Sequence, residues 1–244
     1  MMDQQLNLIF ELKDLKKTYK ENTVLDIGRL QFHRGAIYGI VGPIGSGKTT
    51  LLNIMAGLDR QSSGTIKYDN NEFKTNWFGK IKQNPDIKLA QLESLPKVSK
   101  VSEVINTITN QSADQIYPKY LQKGSVTSLM NRKISDLSTG ELYWLNMVIA
   151  VESDTRVLMI DNYGIFFEKN MESKFRNKLN RMNKELGTTI VLTASNDQNL
   201  KTIASVLIYL DNGHVAKIRT GVNKESGRRP KKRKFNRPRK RSIR

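Results

Sequence analysis

Eight consecutive residues, Gly42-Pro43-Ile44-Gly45-Ser46-Gly47-Lys48-Thr49, have the types and spacing to hold a polyphosphate. Glycines let successive backbone N–H groups turn toward one anion with no Cβ in the way. A helix that starts at such a loop adds the positive end of its dipole. The Lys48 ammonium can reach β- and γ-phosphates, the Thr49 hydroxyl can ligate Mg²⁺, and Thr50 follows in the same turn. Further along the chain, Tyr19, Gln91, Asp161 and the run Leu137-Ser138-Thr139-Gly140-Glu141 are candidates to complete a site.

A glycine loop does this chemistry only between a strand and a helix. Ala36-Ile37-Tyr38-Gly39-Ile40-Val41 reads as a buried strand, and Leu51, Met55 and Leu58 fall on one helical face. Other segments supply the remaining frame. Leu8–Leu12 and Val24–Ile27 read as short strands, with Phe32 in or near the next one. Gln61–Ile66 is a turn into another strand, and Ile87–Gln91 is a short strand ending in its glutamine. Asn70–Lys88 is polar and poorly patterned. Val101, Val104, Ile105 and Ile108 recur at helical spacing, and Tyr117-Pro118 predicts an interruption of the next segment. Leu137–Glu141 opens an apolar helix running to about Val151. Val157–Asp161 is an apolar strand closed by a carboxylate. Met171, Phe175, Leu179, Met182 and Leu186 form a stripe that stops at Gly187. Thr189–Thr193 is a buried strand, and Val206–Leu210 with Val215–Ile218 is a hairpin about Asp211-Asn212-Gly213. Strands alternating with helices predict an α/β fold with a largely parallel sheet.

Composition bounds the setting. With no cysteine among 244 residues, structural disulfides and thiolate metal sites are excluded. No apolar run approaches the ~20 residues that cross a bilayer, and Met1–Gln5 lacks the basic flank of a signal peptide. The expectation is a soluble, cytoplasmic chain. Eleven of the charges behind the net +18 lie in Gly227–Arg244, which leaves +7 on the rest. Lys231–Lys234 and Arg237–Arg241 are too charged to fold alone and would bind a polyanion: an anionic membrane surface, an acidic partner or nucleic acid.

From about Leu8 to Ile218 the chain resembles the nucleotide-binding domain of ATP-binding cassette (ABC) proteins. Leu137-Ser138-Thr139-Gly140-Glu141 is similar to that family's signature loop, Val157–Asp161 to its Walker B strand, Gln91 to its Q-loop glutamine, and Tyr19 to its adenine-stacking aromatic. The resemblance implies a P-loop NTPase with a RecA-like core, an N-terminal antiparallel β subdomain and a helical insert at about 92–136. The ABC domain would occupy residues 1–222, followed by a basic tail over 223–244. ATP and Mg²⁺ are the implied cofactors, with the metal at Thr49, Gln91 and, through water, Asp161. The signature loop would face the γ-phosphate held by a second ABC domain, in a homo- or heterodimer. A separate transmembrane subunit would place the pair at the inner face of the cell membrane.

Three stretches depart from the family pattern. Asn162 follows Asp161 where the family has the general-base glutamate, and Asn196 stands where it has a switch histidine. Tyr163–Glu168 lacks the family's usual P-T-S-A-L-D pattern after Walker B, and Trp144 and Ile149 stand where arginines are common. The resemblance therefore implies ATP binding with impaired or absent hydrolysis in the chain's own site. Two alternatives remain: a soluble ABC-type regulator held on nucleic acid or ribosomes by the tail, and an ordinary homodimeric ATPase with substituted catalytic residues.

Overall fold

Residues 37–41, 157–160 and 189–194 are buried without a break, the pattern of strands covered on both faces. In the computed structural model, which describes residues 7–77, 80–91, 95–109, 111–120, 129–166 and 169–221, they form the centre of a six-stranded sheet. The basic run 223–244 lies outside the described residues, as do 92–94, 110 and 121–128 of the expected insert, and Phe167 and Glu168.

Among the described residues, ten strands form two sheets. β1 (Leu8–Tyr19), β2 (Asn22–His33), β4 (Ser63–Tyr68) and β5 (Asn71–Glu72) make an antiparallel sheet in the order β2-β1-β4-β5. β3 (Ile37–Val41), β6 (Ile87–Ala90), β7 (Val157–Ile160), β8 (Thr189–Ala194), β9 (Val206–Asp211) and β10 (His214–Thr220) make the second, in the order β10-β9-β3-β8-β7-β6. The second sheet is parallel except for the edge strand β10. The described helices are α1 (Lys48–Met55), α2 (Val101–Thr109), α3 (Ala113–Tyr120), α4 (Thr139–Glu152) and α5 (Lys169–Leu186).

Side-chain alternation along the strands builds one core on each face of the parallel sheet. Val157, Met159 and Val191 join α1 and the antiparallel sheet, including Phe10, Phe32, Leu51 and Met55. Leu158, Ile160, Ile190 and Leu192 join α4 and α5 through Trp144, Met147, Phe175 and Leu179. From Tyr143 to Glu152, α4 is buried on every side, which accounts for its mostly apolar composition, broken only by Asn146 and Glu152, and for Trp144 and Ile149 where arginines are common in the family. A hydrophilic α5 buries Phe175, Leu179 and Met182 of its stripe together with Asn183, while Leu186 at its end is exposed.

Three expectations need correction. The first two strands are not short: each runs twelve residues, and Phe32 belongs to the second. Local composition hid this, because Lys13, Asp14 and Lys16 face water while Leu12 and Leu15 on the same strand are buried. Tyr117-Pro118 does not interrupt the insert, since α3 continues to Tyr120. The polar stretch after Asn70 holds β5 and a bridge between Thr75 and Ile81.

Candidate functional site

Parallel strands bring their carboxyl ends to one edge, and the candidate residues collect there. β3 ends at Val41, the loop follows, and α1 begins at Lys48. Gly47 sits at φ 94, where L side chains are strained, and a Cβ there would lie 2.9 Å from the Val24 carbonyl oxygen. Gly42 passes so close to β9 that a Cβ would lie 2.2 Å from the Leu210 carbonyl oxygen. Ile44 at the loop crest is 97% exposed.

Lys48 is buried, and its Nζ donates to the carbonyls of Gly42 (2.7 Å) and Pro43 (2.8 Å) and to Ser46 Oγ (3.3 Å). Burial lowers the pKa of its ammonium, against the attraction of the Asp161 carboxylate. Thr49 Oγ1 donates to Asp161 Oδ2 at 2.7 Å, so the loop and the end of β7 are in direct contact. Thr193 Oγ1 donates to Asp161 Oδ1 at 2.6 Å. The Asn162 N–H donates to the same carboxylate oxygen (3.1 Å) and to Thr193 Oγ1 (2.9 Å).

A cavity of about 380 Å³ opens beside this carboxylate, lined by Thr49, Asn53, Gln91, Asp161, Asn162 and Phe166 among others. Its oxygen donors suit a hard divalent cation that keeps most of its water. Asn53 Oδ1 is buried at this wall with no hydrogen-bond partner among the described residues, an acceptor that a cation or its water shell would satisfy. Thr49, Gln91 and Asp161, the residues expected to hold the metal, line this one cavity.

Asn162 and Asn196 also meet, around an adjoining cavity of about 130 Å³ shared with Asn199. Asn162 has φ 54, a left-handed conformation that asparagine tolerates better than most residues. Tyr143 fixes its backbone by donating to the Asn162 carbonyl at 2.9 Å. The Asn162 side chain makes no hydrogen bond among the described residues, and Asn196 Oδ1 accepts one from the Gln198 N–H at 3.1 Å.

Tyr19 ends β1 and is 46% exposed. Its hydroxyl donates to Asp59 Oδ2, and it hydrogen-bonds Thr50 beside the loop. Lys17 Nζ lies 4.5 Å from the ring centroid and donates to Asp59 Oδ1 at 2.6 Å. Burial and then the Asp59 hydrogen bond push the Tyr19 hydroxyl up. Burial opposes the opposite shift at Asp59, but hydrogen bonds from Lys17 and Tyr19 hold its carboxyl below the usual range.

The run Leu137–Glu141 does not line the 380 Å³ cavity. It caps α4: the Glu141 N–H donates to Ser138 Oγ (3.3 Å), and the Ser138 N–H donates to Glu141 Oε2 (2.8 Å). Arg132 holds the other Glu141 oxygen at 2.7 Å. Ser138 and Thr139 stay exposed.

The ABC transporter family model matches residues 25–163, more than half of the chain, and spans both the phosphate loop and Asp161. The chain belongs to the ABC transporter family. Relatives of this ABC chain include the tungstate uptake system ATP-binding protein TupC of Peptoclostridium acidaminophilum, 28% identical over 211 residues, covering 84% of this chain and 95% of TupC. The spermidine/putrescine import ATP-binding protein PotA of Mannheimia succiniciproducens is 26% identical over 213 residues, covering 85% of this chain. The chain spans only 56% of that PotA. The dimeric bacterial ABC transporter cassette MJ0796 superposes with TM-score 0.74 at 22% identity, covering 86% of this chain and 98% of MJ0796. CbiO1 of Clostridium perfringens, part of the ABC transporter complex cbiONQ, superposes with TM-score 0.68 at 21% identity over 88% of this chain and 89% of its own. The ABC fold, with its P-loop core and antiparallel subdomain, is thus that of this chain.

Several contributors to the site were missed in the sequence. Thr193 could have been found from strand pairing, because Ile160 lies opposite Leu192 and their successors are Asp161 and Thr193. Asn53 stands four residues after Thr49 on α1, one helical turn along the same face. Asp59 and Lys17 carried no local signal, since their link to Tyr19 joins residues about forty positions apart.

Proposed function

We propose that this ABC chain is the ATP-binding subunit of a transporter or membrane complex, and that it holds Mg-ATP while hydrolysing it slowly or not at all in its own site. The observation that carries this reading is the contact between Thr49 and Asp161 at the head of a cavity that also presents Gln91 and Asn162. Mg²⁺ would supply charge neutralisation at the β- and γ-phosphates, held by Thr49, by Gln91 and, through water, by Asp161. Lys48 would exchange its loop carbonyls for phosphate oxygens, a charge-assisted bond roughly twice as strong as a neutral one. Tyr19 would present its ring to the base.

Catalysis fails at Asn162. A carboxylate there could take a proton from water; an amide has no basic oxygen at neutral pH. Loss of a general base typically costs ~10²–10⁴ in rate. Asn196, on the same small cavity, can hydrogen-bond a γ-phosphate but cannot carry the charge of a histidine. The exposed Ser138 and the Gly140 N–H at the start of α4 suit the phosphate of a second ABC domain, bound head to tail. The names of TupC and PotA, both ATP-binding components of uptake or import systems, favour a separate membrane-spanning partner. No described helix is long and apolar enough to cross a membrane.

Calorimetry with Mg-ATP and single-turnover hydrolysis on the purified chain test both halves. Binding is expected with little or no phosphate release. Absence of binding would overturn the reading, and rapid release by the isolated chain would overturn its catalytic half. Pull-down from detergent-solubilised membranes is expected to recover a hydrophobic subunit.

A further inference from the structure

Residues 195–205 connect β8 to β9, the two strands that flank β3 on opposite sides. Val41, the last residue of β3, lies level with Ala194 on one side and with Tyr209 on the other. The connection is tied to the phosphate loop where it begins, because the Gly42 N–H donates to the Ala194 carbonyl at 3.2 Å. Asp197 then reaches the other strand: the Tyr209 hydroxyl donates to its Oδ2 at 2.7 Å. That bond links the two neighbours of β3 at the end from which the phosphate loop departs.

Both partners of the bond are themselves held. Lys201 Nζ lies 2.9 Å from the other Asp197 oxygen, and the Lys201 N–H donates to the Asp197 carbonyl at 2.8 Å. Hydrogen bonds from Lys201 and then from Tyr209 keep the Asp197 carboxyl below the usual range. Two cations of β10 lie over the Tyr209 ring, Lys217 Nζ at 4.4 Å and Arg219 Cζ at 5.7 Å from its centroid. Asn199 packs on Gly164, where a Cβ would lie 2.5 Å from Asn199 Nδ2. Burial does not explain these ties, since Ser195, Asn196, Gln198 and Asn199 are exposed.

The residue that the ties surround is Asn196. Its Oδ1 accepts from the Gln198 N–H at 3.1 Å, which turns the acceptor end of the amide back into the loop. Its Nδ2 makes no hydrogen bond among the described residues, and Asn196 lines the 130 Å³ cavity beside Asn162. The fold thus fixes where Asn196 stands and leaves its NH₂ group unengaged. Such a group can only donate, so it suits an anion.

We propose that Asp197 and Tyr209 are positioning residues, which hold the loop so that the Asn196 NH₂ group meets the terminal phosphate of bound ATP and finds no partner in ADP. The inference rests on the reading of the site as one for Mg-ATP. It gives that site a role that needs no turnover, the discrimination of triphosphate from diphosphate.

Calorimetry on the full chain, with Mg-ADP and with the Mg²⁺ complex of the non-hydrolysable β,γ-imido analogue of ATP, gives the ratio of the two affinities. The unaltered chain is expected to prefer the triphosphate. Asn196→Ala should lower the ratio about tenfold, the worth of one hydrogen bond to a charged group. Tyr209→Phe deletes only the hydroxyl and should lower it about threefold while Mg-ADP affinity stays constant. The double variant should lose no more than Asn196→Ala alone, because Tyr209 acts through Asn196. Additive losses, or equal losses for both nucleotides in Tyr209→Phe, would overturn the inference and make Tyr209 a general support of the fold. Hydrogen exchange without nucleotide gives a second readout: amides of 195–202 should exchange faster in Tyr209→Phe while those of β8 and β9 do not change. Unchanged exchange in the loop would overturn the positioning role. A chain that binds neither nucleotide would overturn the Mg-ATP reading and this inference with it, whereas a chain that binds both equally would overturn the inference alone.

Discussion

Two neighbouring parts of one sheet edge are built in opposite ways. Around Asp161, each carboxylate oxygen is engaged: Thr49 holds one, and Thr193 with the Asn162 N–H holds the other. Next to it, the side chain of Asn162 has no hydrogen-bonding partner among the described residues, and Asn162 and Asn196 are exposed around a small cavity. The first arrangement is part of the fold, because it locks β7, β8 and the loop before α1 together. The second is carried by side chains that little else depends on. A chain can therefore exchange the residues that would break a phosphate bond while keeping those that would hold the nucleotide. The proposed loss of turnover without loss of binding follows that division.

The largest effect should come from restoring a base on the unencumbered side. Asn162→Glu is expected to raise single-turnover hydrolysis by ~10²–10⁴, measured with a second ABC domain present if the isolated chain stays monomeric. A left-handed φ of 54 at this position will cost the glutamate about 1 kcal/mol of stability. If the rate does not rise, the missing carboxylate is not what limits the site. On the engaged side, Lys48→Ala should weaken Mg-ATP binding by about 10–100-fold, the value of a hydrogen bond to a charged group. Equal calorimetric affinities for the variant and the unaltered chain would remove the phosphate loop from the account.

The same division explains what the sequence made legible. Contiguous signals were readable: the glycine loop, the buried runs of β3, β7 and β8, and the cap at Ser138 all combine neighbours in the chain. Gln91 and Asp161 were readable because each ends a strand, and parallel strands deliver their ends to one place. β1 and β2 look shorter in the sequence than they are because exposed positions interrupt their apolar ones, Lys13, Asp14 and Lys16 in β1 and Gly28 and Arg29 in β2. Pro118 misleads as a breaker because it lies inside a helix that continues through it to Tyr120. Thr193, Asn53 and the ties on Tyr19 needed the fold, since no local pattern links residues that meet only after the sheet and the first helix have assembled.

A residue far from both parts separates folding from function. Glu152 ends α4 with its side chain 4% exposed, and it accepts hydrogen bonds from Tyr120, Lys178 (2.9 Å) and Lys119 (3.0 Å). Burial raises its pKa, but those three donors outweigh burial and hold the carboxyl below its ordinary 4.5. A depressed carboxyl pKa adds stability above the unfolded value and loses it as pH falls through the folded value. Stability from Glu152 should therefore be complete above about pH 4.5 and fade below it. Glu152→Gln should cost about 2 kcal/mol in denaturant unfolding at neutral pH and flatten the acid limb. It should leave Mg-ATP affinity unchanged, the reverse of the pattern expected for Lys48→Ala.

The smallest effect concerns the aromatic beside the loop, which belongs with the engaged part if its orientation matters. Tyr19 is half exposed, yet it is held by Asp59, by Thr50 and by the ammonium of Lys17 over its ring. The Asp59 carboxylate makes no direct approach to the phosphate loop among its described contacts; its bonds run to Lys17, Tyr19 and the Arg60 backbone, and only the Asp59 N–H, which an alanine keeps, reaches the Asn53 carbonyl. Asp59→Ala should therefore free the ring without changing the phosphate site. An oriented aromatic contact is worth about 0.5–1.5 kcal/mol, so ATP affinity should fall about threefold while affinity for inorganic triphosphate stays constant. A matching fall for both ligands would show that Asp59 supports the loop itself. An unchanged ATP affinity would show that the ring needs no orienting, and Tyr19 would then belong with the asparagines as a side chain the fold leaves free.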